Sequence, residues 1–155
     1  MDKTTLGIVA VSFIILIGGA LVFTNTKDSG RDADINLAEK VKGNSKATVT
    51  LTEYSDFQCP ACASFIPILG EIMTDFGDQI RFEYRHYPLI SVNQNAELAA
   101  RAAEAAGAQG KFWEFHDMLF LNQGQWSNNI NPRNQFISYA EQLGLDTDMF
   151  ARHLN

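Results

Sequence analysis

Cys59-Pro60-Ala61-Cys62 holds the only two cysteines of the chain. Two thiols at this spacing on a first helical turn lie within the Cα separation a disulfide spans, so the pair can open and close with little backbone movement. The preceding segment, Thr48 to Tyr54 (TVTLTEY), alternates and is rich in β-branched residues, which predicts a strand. The following segment places Phe65, Ile68, Leu69, Ile72, Met73 and Phe76 at helical spacing. The pair therefore sits at a strand-to-helix junction, where redox chemistry uses Cys-x-x-Cys. Free N–H groups and the positive end of the helix dipole favour a thiolate on Cys59, and the thiolate is the nucleophile. Pro60 suits the first turn because its missing N–H would have had no helical partner there. Cys62, one turn further in and more shielded, is placed to resolve a mixed disulfide on Cys59. Ala61 offers no hydrogen-bond donor, which predicts a less extreme oxidant than a Cys-Pro-His-Cys pair.

Two other uses of the pair are weaker. Half of a zinc site needs two more ligands, and His86, His116 and His153 lack zinc-like pair spacing. A purely structural disulfide across so short a loop would constrain the unfolded chain very little.

The elements around the pair follow from composition and pattern. A length of 155 residues suggests one domain, and the hydrophobic content of 46% is inflated by an uncharged run, Leu6 to Phe23. That run predicts a transmembrane signal-anchor over 6–23, with 1–5 cytoplasmic and 24–42 a polar tether. A cleaved signal peptide is the alternative, with Gly18-x-Ala20 as the only fair cleavage site. Either way the remainder is extracytoplasmic, in a compartment that permits disulfides. The formal net charge of −6 argues against nucleic acid and against adhesion to anionic lipid. The sequence has no Gly-rich phosphate loop, no internal repeat and no low-complexity tract, and nothing in it calls for a cofactor.

Ile80 to Tyr84 alternates and predicts a second strand after a turn at Asp75–Asp78, giving a βαβ unit. A run of helices follows: Asn95 to Gly107, ended by Gly107; Lys111 to Leu121, with Phe112, Trp113, Phe115 and Leu119 available for a core; Pro132 to Leu143; and one from Thr147 capped by Asp146. Trp126, in a Gly/Asn/Gln-rich stretch, is open between surface and core. His86 and His116 read as hydrogen-bonded residues rather than metal ligands.

Three stretches are specific in combination: TEYSDFQCPAC (Thr52–Cys62), YRHYPL (Tyr84–Leu89) and AGAQGKFWEFHDMLF (Ala106–Phe120). From about Gly43 to Asn155 the chain resembles the DsbA-like branch of the thioredoxin superfamily. The resemblance implies an α/β thioredoxin-like fold at 43–155 with an inserted helical domain at about 93–155. It implies that Cys59 is the attacking cysteine and Cys62 the resolving one, with Pro60 and Ala61 forming the active-site loop between them. Glu53, six residues before Cys59, stands where DsbA-like proteins carry an acid beneath the disulfide, able to relay protons to or from Cys62. Alternation with Leu51 also turns Glu53 inward, although an exposed strand residue is the competing reading. Asp56 and Phe57 shape the loop before the pair.

The chain departs from the resemblance at its end. Thioredoxin-like enzymes carry a cis-proline loop after the helical insert, and the prolines here are Pro60, Pro67, Pro88 and Pro132. The expectation is a truncated member, lacking the C-terminal strands and helix. The resemblance implies a membrane-tethered thiol–disulfide oxidoreductase that oxidises cysteine pairs in secreted or membrane proteins and is re-oxidised by a membrane redox partner. A reductase or isomerase, and a non-catalytic binding module or chaperone, are the alternatives.

Overall fold

A computed structural model describes residues 40–154. The strands are β1 (Val41–Gly43), β2 (Val49–Ser55) and β3 (Ile80–His86). The helices are α1 (Pro60–Phe76), α2 (Ala96–Gly107), α3 (Phe112–Leu121), α4 (Gln123–Trp126), α5 (Arg133–Gln142) and α6 (Thr147–His153). The strands form one sheet in the order β1-β3-β2, with β2 parallel and β1 antiparallel to β3. The βαβ unit expected from the sequence is β2-α1-β3. β1 begins inside the stretch that reads as a tether. Its end requires glycine: Gly43 has φ +78°, and a Cβ there would meet the carbonyl oxygens of Ile80 at 2.6 Å and Gly77 at 2.8 Å.

Register and pleat decide which side chains face the core. Leu51, Glu53 and Ser55 alternate along β2 and pair with Phe82, Tyr84 and His86 on β3, so these six share one face of the sheet. Phe82 and Tyr84 are buried there, and Leu51 packs against the core. The other face carries Thr50, Thr52 and Tyr54 beside Arg81, Glu83 and Arg85, with Glu83 paired to both arginines.

Helix α3 joins the sheet to the helical insert because two of its faces are apolar. Phe112, Trp113, His116 and Phe120 meet Phe57 or Tyr84 on the sheet side. Phe115 meets Phe136, Tyr139 and Phe150 on the other. Such spacing by three and four residues places each group on one stripe of the helix. The alanines of α2, Ala99, Ala102, Ala103 and Ala106, are fully buried, which allows its backbone to approach its neighbours closely. Trp126 belongs to the core: it is fully buried and its Nε1 donates to the Leu119 carbonyl at 2.9 Å.

Three helix ends differ from expectation. Gly107 is the last residue of α2 rather than the residue past its end, and the left-handed position falls at Gly110, φ 77°. Pro132 caps α5 from outside its first turn. Asn95 precedes α2 without capping it through its side chain, because its amide is engaged elsewhere. Asp146 caps α6 as expected, accepting from the Met149 N–H at 2.8 Å. Among the described residues no helix is long and apolar enough to cross a membrane, and Leu6–Phe23 lies outside them.

Candidate active site

The reactive pair is built by the end of β2, a three-residue loop and the start of α1. β2 ends at Ser55, and the loop turns on a Cys59 N–H to Asp56 carbonyl bond of 3.0 Å. Cys59 is the N-cap of α1 in extended conformation (φ −76°, ψ 120°), with Pro60 opening the helix and the Ala63 N–H returning to the Cys59 carbonyl at 3.1 Å. Cys59 and Cys62 are both free thiols and half-buried, while Pro60 and Ala61 are exposed.

The two sulfurs are not equivalent. Burial pushes the Cys62 thiol up from its ordinary value. The Asp56 N–H and the Ser55 hydroxyl pull it down, and its own hydrogen bond to the Cys59 sulfur adds to the rise. Burial thus favours the protonated form of the inner thiol.

Glu53 is turned inward, as alternation with Leu51 implies, and its Oε2 is buried without a hydrogen-bond partner. It lies opposite Tyr84 in the register. The Tyr84 phenol is driven far above its ordinary range, first by burial and then by the Glu53 charge. Its hydroxyl lies 3.5 Å from the Ser55 carbonyl oxygen.

Side chains with no signal in the sequence hold the loop in place. The Asp56 carboxylate, buried, accepts from the N–H of Gln58 at 2.7 Å, the N–H of Leu89 at 3.0 Å and Asn93 Nδ2 at 2.7 Å. Gln58 donates to the Ser127 carbonyl at 2.7 Å and accepts from the Asn95 N–H at 2.7 Å. Gln123 Nε2 donates to the carbonyls of Phe57 at 2.8 Å and Cys59 at 3.0 Å. The helical insert therefore grips the backbone of Cys59 itself. Asp56 and Phe57 do shape the loop, Phe57 by stacking on Tyr84 at 5.5 Å.

His86 and His116 are hydrogen-bonded, as expected. His86 Nε2 lies 2.8 Å from Glu104, which also binds Lys40 at 2.5 Å. Burial raises Glu104, but these two partners outweigh it and hold the carboxyl below its ordinary value. His116 is buried with Nδ1 at 2.8 Å from Asp117. Among the described residues no three His, Cys, Asp or Glu side chains cluster to hold a metal ion.

Residues 36–153 match the family model described as thioredoxin. The chain belongs to the thioredoxin family. This thioredoxin-family chain is similar to oxidised BdbD from Bacillus subtilis, at 25% identity and a TM-score of 0.64, covering 75% of this chain and 65% of that one. It is also similar to a thioredoxin-like oxidoreductase from Silicibacter pomeroyi, at 27% identity and a TM-score of 0.60, covering 80% and 69%. The thiol–disulfide exchange protein α-DsbA2 of Wolbachia pipientis, 20% identical with a TM-score of 0.62, shares the fold. The thioredoxin-like α/β fold with a helical insert is thus the one found among DsbA-like thiol–disulfide oxidoreductases. A stretch of the Na(+)/H(+) antiporter NhaA 1 of Salinispora arenicola is 47% identical over 116 residues, and the chain spans 17% of that antiporter's length.

Proposed function

We propose that this chain exchanges thiols and disulfides with cysteine-bearing proteins, oxidising them through a Cys59–Cys62 disulfide. The observation that carries the reading is the placement of the pair: Cys59 ends the loop as the N-cap of α1, and Cys62 is half-buried in the first turn, where burial favours its thiol form. In the oxidising direction a substrate thiolate forms a bond to the Cys59 sulfur and the Cys59–Cys62 bond breaks. Its electron pair leaves on Cys62, which takes up a proton. A second substrate thiolate then displaces Cys59, so the substrate loses two electrons and the pair gains them. Glu53, inward and with a free carboxylate oxygen, is the proton carrier for Cys62.

The likeness to BdbD and to other DsbA-like proteins supports thiol–disulfide exchange, and oxidation is the direction proposed for it. An exported, membrane-tethered position is supported by the uncharged run at Leu6–Phe23 and by the antiporter relative. A membrane redox partner would return the pair to its disulfide.

Two substitutions test the reading. Cys59→Ser abolishes oxidation of a reduced dithiol peptide, and Cys62→Ser accumulates mixed disulfides on Cys59, both read by mass spectrometry. A binding module or chaperone would instead hold unfolded chains equally well with Cys59→Ser and trap nothing.

A further inference from the structure

The Cys59 carbonyl oxygen has two donors. The Ala63 N–H reaches it at 3.1 Å from within α1, and Gln123 Nε2 reaches it at 3.0 Å from the first residue of α4. Both acceptor positions of that oxygen are thus filled, one by its own helix and one by the insert. The same Nε2 also donates to the Phe57 carbonyl at 2.8 Å. One amide therefore spans residues 57 to 59 and uses both of its hydrogens on them. Its support is firm: Trp126, in the same short helix, is fully buried, and its indole donates to the Leu119 carbonyl at 2.9 Å. The Cys59 N–H is held by the Asp56 carbonyl at 3.0 Å, so the residue that bears the outer sulfur is tied on both sides of its Cα.

We propose that Gln123 is a positioning residue for disulfide closure: acting through the Cys59 carbonyl, it keeps the outer sulfur within reach of Cys62 while Cys59 carries a partner sulfur. This rests on the exchange reaction proposed above. In closure the Cys62 thiolate forms a bond to the Cys59 sulfur and the bond from Cys59 to the partner sulfur breaks. The electron pair leaves on the partner sulfur, which takes up the proton that Cys62 released. Closure is also the last step when an external disulfide re-oxidises the pair.

A disulfide tolerates only a narrow range of Cα separation and dihedral angle. The rate and extent of closure therefore depend on how often the two sulfurs meet in that geometry. Cys62 lies inside α1 and is held by it, whereas Cys59 is the N-cap, with extended backbone outside the helical conformation. In the mixed disulfide Cys59 is bonded to a partner that moves independently of the fold. A restraint from outside α1 is what keeps it in register, and Gln123 supplies one. Gln125, two residues on, uses its amide on Asn122 Oδ1 at 3.0 Å and offers a control in the same helix.

The test is closure against glutathione in the full chain. The chain is equilibrated with reduced and oxidised glutathione, quenched with acid and alkylated. The glutathione mixed disulfide and the Cys59–Cys62 disulfide are then counted by mass. The ratio of disulfide to mixed disulfide, multiplied by the concentration of reduced glutathione, is the effective concentration of Cys62 at Cys59. Gln123→Met keeps the length of the side chain without the donor, and Gln123→Glu offers only acceptors at neutral pH. The expected result is that both lower the effective concentration about tenfold and accumulate mixed disulfide, while Gln125→Met matches the parent. An amide with a merely structural role would lower the urea midpoint and leave this ratio unmoved.

An unchanged ratio in either Gln123 variant overturns the inference, as does an equal fall in Gln125→Met. So does loss of far-ultraviolet circular dichroism in both Gln123 variants, which would make the amide a folding element. Peptide oxidation by the unaltered chain is measured beside it. Absent oxidation sinks the exchange reaction, whereas intact oxidation with unmoved ratios sinks the role of Gln123 alone.

Discussion

At the residue scale, burial favours the protonated form of two groups of the site, Tyr84 and Cys62. Tyr84 gives the clearest pH dependence. Its folded phenol is raised by burial and by Glu53, so the protonated form is favoured in the folded chain. The linked stability is fully present below the ordinary phenol value of 10.0 and is lost progressively as pH rises above it. Tyr84→Phe removes only a 3.5 Å contact, so urea midpoints at pH 8 should differ by about 1 kcal/mol or less. At pH 11 the variant should be the more stable of the two; an unchanged or reversed order there would contradict the burial of this phenol. Alkaline loss that persists in the variant belongs in part to Cys62, also raised and ionising later than it would in the unfolded chain. The cysteines and the inward turn of Glu53 were legible in the sequence because both depend on local spacing and strand alternation. The buried, unpartnered hydroxyl of Ser55 was not, because a serine at a strand end carries no pattern of its own.

At the element scale, what positions Cys59 is a set of amides reaching across the fold. Gln123, Gln58 and Asn95 join the loop to the start of the helical insert and to Ser127 and Asn129 beyond α4. Gln123→Ala removes the side-chain donor from the Phe57 and Cys59 carbonyls, the second of which keeps the Ala63 N–H. It should lower stability by about 1 to 2 kcal/mol and slow exchange at Cys59, with helix content unchanged. Denaturant titration and single-turnover alkylation of Cys59 read the two effects, and a variant identical to the parent in both would remove the insert from the site. None of these contacts was visible beforehand, since their partners lie 34 to 69 residues apart. The strand–helix–strand unit and the long helices were legible from periodicity. α4 and β1 were not, being 4 and 3 residues long, too short for a period to show. Trp126 reads as core only once its indole is seen bonded to α3. Asn95 shows a related conflict: a good capping residue gives up its cap to hold Ser127 and Asn129.

At the scale of the whole molecule, the described sheet buries one face and leaves the other charged, with the outer edge of β2 unpaired among the described residues. The Cys59–Cys62 pair follows the end of that edge strand, whose exposed Tyr54 meets exposed Tyr87 edge to face at 6.5 Å. The proposed tether makes a separate prediction. The whole chain should stay with membranes through an alkaline carbonate wash, and replacing Leu6–Phe23 with a polar sequence should release it; release of the parent chain would contradict the tether. Chemistry at Cys59 is independent of that outcome. It is tested most directly by mixing the oxidised full chain with a reduced dithiol peptide and following both by mass spectrometry over a single turnover. The predicted result is a peptide that loses two hydrogens while Cys59 and Cys62 gain them, with the transient peptide adduct on Cys59. A peptide that stays reduced, or an adduct carried by Cys62, would contradict it.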